Sequence, residues 1–156
     1  MIDEALPATR RRFLTGAGGL ALVTVLPAPE GRATPDAMKA AIRKAIGDKP
    51  LRKGKVTLDV PPIVENGNSV ALEVKVDSPM TAGDHVKAIH VFNEKNPQPN
   101  IISVKFSPRS GRAQISTRVR LADSQNIIAI AEMNDGTCYS DDVDVVVTIA
   151  ACLETP

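Results

Sequence analysis

The chain has no tryptophan, one tyrosine and three phenylalanines. So few rings exclude a surface on which nucleic-acid bases stack. Charge of one sign is lacking too: 19 Lys and Arg face 18 Asp and Glu, a formal net charge of +1. A balance this even releases no useful number of counterions from a polyanion, so nucleic acid is excluded as a partner. With two cysteines, Cys138 and Cys152, the sequence is no disulfide-dense scaffold. Long apolar runs are also missing beyond residue 26. Nothing after that point has the length of a membrane-spanning helix.

The apolar run that does occur is short and comes early. Thr9-Arg10-Arg11-Arg12-Phe13-Leu14 precedes the glycine-rich apolar stretch Gly16 to Leu26. A basic segment followed by a short hydrophobic one reads as a secretory signal, residues 1–33. Arg10 and Arg11 followed by Phe13 and Leu14 resemble the twin-arginine address, which is read by receptors and is not an anchor. The expected destination is the bacterial periplasm. Gly31-Arg32-Ala33 offers a small-x-Ala cleavage pattern before Thr34. Removing 1–33 takes away Arg10, Arg11, Arg12 and Arg32 against Asp3, Glu4 and Glu30, leaving a formally neutral chain. At roughly 120 residues, it is long enough for one domain with one core.

That chain opens with a helical pattern. Met38, Ala41, Ile42, Ala45 and Ile46 fall at helical spacing, with Thr34 as N-cap, Pro35 at the first position and Gly47 just past the end. The period then changes to two. Val56, Leu58 and Val60 alternate, and so do Val70, Leu72, Val74 and Val76. Further strand-like segments are Val86 to Phe92, Ile101 to Phe106, Ala113 to Leu121, Ile127 to Met133 and Val143 to Ile149, separated by Pro, Asn and Gly turns. The expected fold is all-β: an immunoglobulin-like antiparallel β-sandwich of about seven strands with one N-terminal amphipathic helix.

Few residues invite chemistry. His85 and His90, with Cys138 and Met133, bring a copper site to mind, but no His follows either cysteine as the ligand order of blue copper proteins requires. His85 reads as a loop residue and His90 as a strand residue. Asp141, Asp142 and Asp144 lack the spacing of a calcium loop and read as solvated surface. No catalytic triad, phosphate loop or carboxylate pair is identifiable, and no metal or cofactor is expected. The cysteines remain. In an oxidising compartment two cysteines usually pair. If Cys138 begins the last strand and Cys152 follows it, however, roughly 40 Å of extended chain separates them, against about 6 Å in a disulfide. Cys152, close to the end, stands where a thiol is reached easily.

The twin-arginine signal, amphipathic helix, sandwich and terminal Val147-Thr148-Ile149-x-x-Cys152 together resemble SoxY, the sulfur-carrying subunit of the periplasmic thiosulfate-oxidising system. Similar segments are Glu65-Asn66-Gly67-Asn68, Asp77-Ser78-Pro79-Met80, Val86 to Phe92, Asn96-Pro97, Ser116 to Ala122 and Ala131-Glu132-Met133-x-Asp135-Gly136. The resemblance implies a carrier and not an enzyme. Residues 34–149 would be the domain and 150–156 an arm holding thiosulfate-derived sulfur oxyanions covalently on Cys152. Implied partners are a SoxZ-like sandwich in a heterodimer and the haem, hydrolase and molybdenum components of the system. Cys138, just after the Asp135-Gly136 turn, has no role in the family pattern and is the candidate for an interchain disulfide. The arm departs from the family's Gly-Gly-Cys-Gly-Gly, reading Ala150-Ala151-Cys152-Leu153-Glu154. This keeps open a second reading: a diverged interaction protein that pairs with a SoxZ-like partner and docks on another periplasmic dehydrogenase.

Overall fold

Proline suits the first turn of a helix, where its missing N–H has no intrahelical acceptor to lose, and Pro35 opens the helix here. The structure, a computed structural model, describes residues 33–149. Helix α1 spans Pro35–Ile46. Thr34 caps it: its hydroxyl accepts from the Ala37 amide at 3.1 Å. Gly47 closes it at φ 73°, where a side chain would be strained, and donates its N–H to the Arg43 carbonyl. The apolar stripe faces inward as expected, with Met38 and Ile46 buried and Ala41, Ile42 and Ala45 packed beside them.

The strands are β1 (Leu51–Arg52), β2 (Val56–Asp59), β3 (Ile63–Asn66), β4 (Val70–Val76), β5 (Val86–Asn93), β6 (Asn100–Lys105), β7 (Ala113–Val119), β8 (Gln125–Met133) and β9 (Cys138–Ile149). The larger sheet has the order β1-β9-β8-β5-β6, with β3 also on β9; the smaller is β2-β4-β7. Period-two alternation turns one face of each sheet to a shared core. Val70, Leu72 and Val74 from the small sheet meet Ile89, Val91, Ile127, Ala129 and Val145 from the large one, all nearly or fully buried. At about 1.5–3 kcal/mol for each large apolar side chain removed from water, this layer is the main stabilising term. A second cluster lies on the outer face of the large sheet, where α1 covers Phe92, Ile130 and Cys138.

The sandwich is as expected, with two departures. Among the described residues it has nine strands, and two of the pairings are parallel: Leu51 aligns with Cys138 in β1–β9, and Ile63 with Val146 in β3–β9. The chain lies along the edge of β9, crosses to the small sheet as β2, then returns to the same edge as β3. Both visits run in the same direction, which a consecutive hairpin could not do.

Candidate functional site

Strand β9 is 12 residues long and includes Asp141, Asp142 and Asp144, which are poor strand formers. Each has a partner. The Asp141 carboxylate accepts from the Leu58 amide at 2.9 Å, capping the open edge of β2. Asp142 pairs with Lys53, and Asp144 accepts from Asn126 Nδ2 at 3.0 Å. Asp141 is thus half-buried and structural, whereas Asp142 and Asp144 lie on the exposed face.

At its far end β9 is clamped from both sides. On one side Val146 N–H donates to the Pro62 carbonyl at 2.8 Å, and Gly67 N–H donates to the Ile149 carbonyl at 2.9 Å. Gly67 is buried in the turn after β3, and its own carbonyl accepts from Leu121 N–H at 2.8 Å. On the other side Ser124 Oγ accepts from Val147 N–H at 2.9 Å. Close by, Asn96 Oδ1 accepts from Ala122 N–H and from Gln125 Nε2, and Asn93 Oδ1 accepts from Asn96 N–H. This end of the sandwich is a hydrogen-bonded polar cap that fixes where the chain leaves. The sequence marked Glu65-Asn66-Gly67-Asn68 as a turn and as a segment similar to the family's, without the role of Gly67 in holding β9; Ser124 carried no signal at all, because its role is to satisfy one backbone amide.

Cys152 follows Ile149 by three residues and lies outside the described residues, as do Arg10, Arg11, Phe13 and Leu14. Covalent geometry still bounds its position, since three residues reach at most about 11 Å. Cys138 stands at the opposite end of the same strand. Eleven steps of about 3.3 Å put it roughly 36 Å from Ile149, so even three residues running straight back would leave the two Cα atoms on the order of 25 Å apart. A disulfide tolerates about 7 Å between Cα atoms, so the two cysteines of one chain do not pair in this fold.

Cys138, the candidate for an interchain bond, lies under α1. Its side chain is 0% exposed among Met38, Ile46, Phe92 and Ile130. A second chain would reach the sulfur only if α1 lifted away. Burial also pushes the thiol's pKa up, outweighing the nearby Lys49, so little of it is thiolate. Above it, Lys49 Nζ donates to Glu132 Oε1 at 2.8 Å and Lys87 approaches the same oxygen at 3.5 Å. Lys49, foremost, holds the Glu132 carboxyl below its usual range.

His85 belongs to the loop before β5, with Nδ1 3.1 Å from the Thr81 carbonyl, so that nitrogen carries the proton. His90 is half-buried on the outer face of β5, with Nδ1 2.8 Å from Ser103 Oγ and its ring stacked on Phe92 at 6.2 Å. The structure does not bring the two histidines and Cys138 together. Among the described residues no group of three or more His, Cys, Asp or Glu side chains is gathered as metal ligands. Among them, too, no helix is long and apolar enough to cross a membrane.

Comparison with known proteins agrees with this architecture. The structure of the sulfur carrier protein SoxY from Chlorobium limicola f thiosulfatophilum is 26% identical, with a TM-score of 0.61 over 72% of this chain and 96% of that one. Superoxide reductase (neelaredoxin) from Ignicoccus hospitalis is 20% identical, with a TM-score of 0.53 over 76% of this chain and 96% of its own. Superoxide reductase from Nanoarchaeum equitans is 13% identical, with a TM-score of 0.51 over 62% and 97%. At those identities the two reductases share the fold alone. No curated protein matches the chain. The family described as sulfur oxidation protein SoxY matches residues 42–152, from within α1 to Cys152 itself, and the chain belongs to the SoxY family.

Proposed function

We propose that this chain is a periplasmic sulfur carrier, exported on the Arg10, Arg11, Phe13, Leu14 address, that holds thiosulfate-derived groups on Cys152. It would act with a SoxZ-like sandwich as a heterodimer. The observation that carries the reading is positional. The family match ends at Cys152, and the last described residue before it, Ile149, is held by a backbone hydrogen bond to Gly67. A thiol on a three-residue tether from a fixed point is presented to one partner after another at high effective concentration.

The chemistry belongs to the partners. A haem component takes two electrons as the Cys152 thiolate and thiosulfate join in an S–S bond, giving a cysteine S-thiosulfonate. A hydrolase adds water and releases sulfate, leaving a persulfide, and a molybdenum component oxidises the sulfane sulfur that remains. The carrier supplies a reachable thiolate and no catalytic group.

The test is the intact mass of protein isolated from thiosulfate-grown cells, beside Cys152→Ser. Sulfur-containing adducts on the native chain that vanish in the variant support the carrier. An unmodified thiol during active oxidation refutes it and favours the second reading, an interaction protein docking on another periplasmic dehydrogenase. One observation supports that alternative: Ala150, Ala151, Leu153 and Glu154 surround the cysteine. Side chains restrict the backbone more than glycine does, and a carboxylate nearby disfavours the thiolate.

A further inference from the structure

The small-x-Ala pattern at Gly31-Arg32-Ala33 points to the Ala33–Thr34 bond as the place where the signal is cut. The structure builds both residues into the domain. Ala33 is 6% exposed and donates its N–H to the Asn96 carbonyl at 2.9 Å. On the other side of the bond, Thr34 Oγ1 accepts from the Ala37 amide at 3.1 Å, and the Thr34 carbonyl accepts from the Met38 amide at 2.8 Å. These two contacts start α1.

Asn96 is itself well anchored. Its N–H donates to Asn93 Oδ1, its Oδ1 accepts from Ala122 N–H and Gln125 Nε2, and its Nδ2 donates to the Arg120 carbonyl, all at 2.8–3.0 Å. Ala33 therefore ties the head of α1 to the polar cap at the end of the sandwich where the chain leaves toward Cys152.

A peptidase takes its substrate as accessible, extended chain, so a cut after Ala33 requires the residues on both sides of that bond to leave the fold. Three hydrogen bonds break and a buried residue is exposed before any chemistry. The twin-arginine route delivers a chain already folded, so α1 is in place when the peptidase meets it. The product is unfavourable as well, since a new α-ammonium on Thr34 stands at the positive end of the helix macrodipole. A cut upstream of Ala33 breaks none of these contacts. Between Leu26 and Ala33 the small residues that suit the position before a cut are Ala28 and Gly31.

We propose that the signal is removed upstream of Ala33, after Gly31 or Ala28, and that the mature chain keeps Ala33 as the anchor of α1. This rests on the export reading and adds the processing site to it.

The experiment is N-terminal sequencing of the chain recovered from the periplasm after expression with its full signal. A first residue at or before Ala33 is expected, whereas Thr34 or any later residue overturns the proposal. A chain that stays full-length in the cytoplasm counts against the export reading alone, and a second measurement then decides: urea unfolding of chains made to begin at Arg32 and at Thr34. Loss of the bond to Asn96, together with the ammonium at the helix end, should lower the folding equilibrium constant of the shorter chain at least about fivefold. Equal midpoints would show that Ala33 is not held and would overturn the proposal.

Discussion

Ser124 and Val147 are joined through one hydroxyl: Ser124 Oγ accepts from the Val147 amide at 2.9 Å and turns back toward its carbonyl at 3.4 Å. Val147 is buried, so without that oxygen its N–H loses its acceptor. Ser124→Ala should therefore lower stability by about 1 kcal/mol in urea unfolding. Hydrogen exchange at the Val147 amide should quicken by more than the global change explains. Unchanged exchange there would show that the strand end is held from the Gly67 side alone.

The helix was legible because every signal for it is local. Thr34, Pro35 and Gly47 mark its ends and Met38 to Ile46 its face, and the structure uses each of them as read. The inner-face alternation of β4 was equally plain. What escaped depends on partners distant in sequence. β1 is two residues long and exists by pairing with Cys138 and Tyr139, and β3 hides between Pro62 and the Asn66-Gly67 turn, so both read as connection. The apolar pattern marks β9 only from Val143, although the distance between the cysteines already supposes a strand starting at Cys138; Asp141 and Asp142 argue against that first half until Leu58 and Lys53 are seen beside them. The clamp on Val147 and Ile149 is built largely from backbone groups, which every residue carries.

Cys138 and Cys152 should differ sharply toward a thiol reagent. The native chain is expected to show one fast-reacting thiol, and Cys152→Ser none until it is unfolded, because Cys138 is 0% exposed and its pKa is raised by burial. Cys138→Ala should cost about 1 kcal/mol through the small void left under α1, whereas Cys152→Ser should change stability by less than about 0.5 kcal/mol. Non-reducing gels should show no dimer through Cys138. Rapid labelling of Cys138 in the folded protein would mean that α1 opens readily.

Glu132 gives stability a defined acid edge. Its carboxyl is held below 4.5 chiefly by Lys49, with Lys87 adding to this; His90 and Cys138 are the other titratable groups beside it. A depressed carboxyl pKa contributes stability that is fully present above the unfolded value and is lost as pH falls through the folded one. Glu132→Gln should thus be less stable than the native chain at pH 7, by no more than about 1 kcal/mol because both lysines are solvated. The gap should close as pH drops below about 4.5. Denaturant midpoints at pH 7 and 3.5 measure it, and a gap that persists at the lower pH would assign the effect to shape and not to charge.

Ile63 and Val146 sit side by side in the β3–β9 register, 70% and 55% exposed, and Ile149 at the strand's end is 64% exposed. The outer edge of β3 has no strand paired to it among the described residues. An open strand edge beside bare apolar side chains invites another sheet. The isolated chain should therefore self-associate through this edge. Ile63→Lys should return it to a monomer in sedimentation velocity, since a charge there must be desolvated for the edges to meet. The substitution is at the surface, so folding stability should move by less than about 0.5 kcal/mol. The same variant should weaken a one-to-one complex with a SoxZ-like partner, because the patch adjoins the point where the segment bearing Cys152 leaves the domain. Ile63→Lys that still associates at the same concentration would move the contact to another face, such as the free edge of β6.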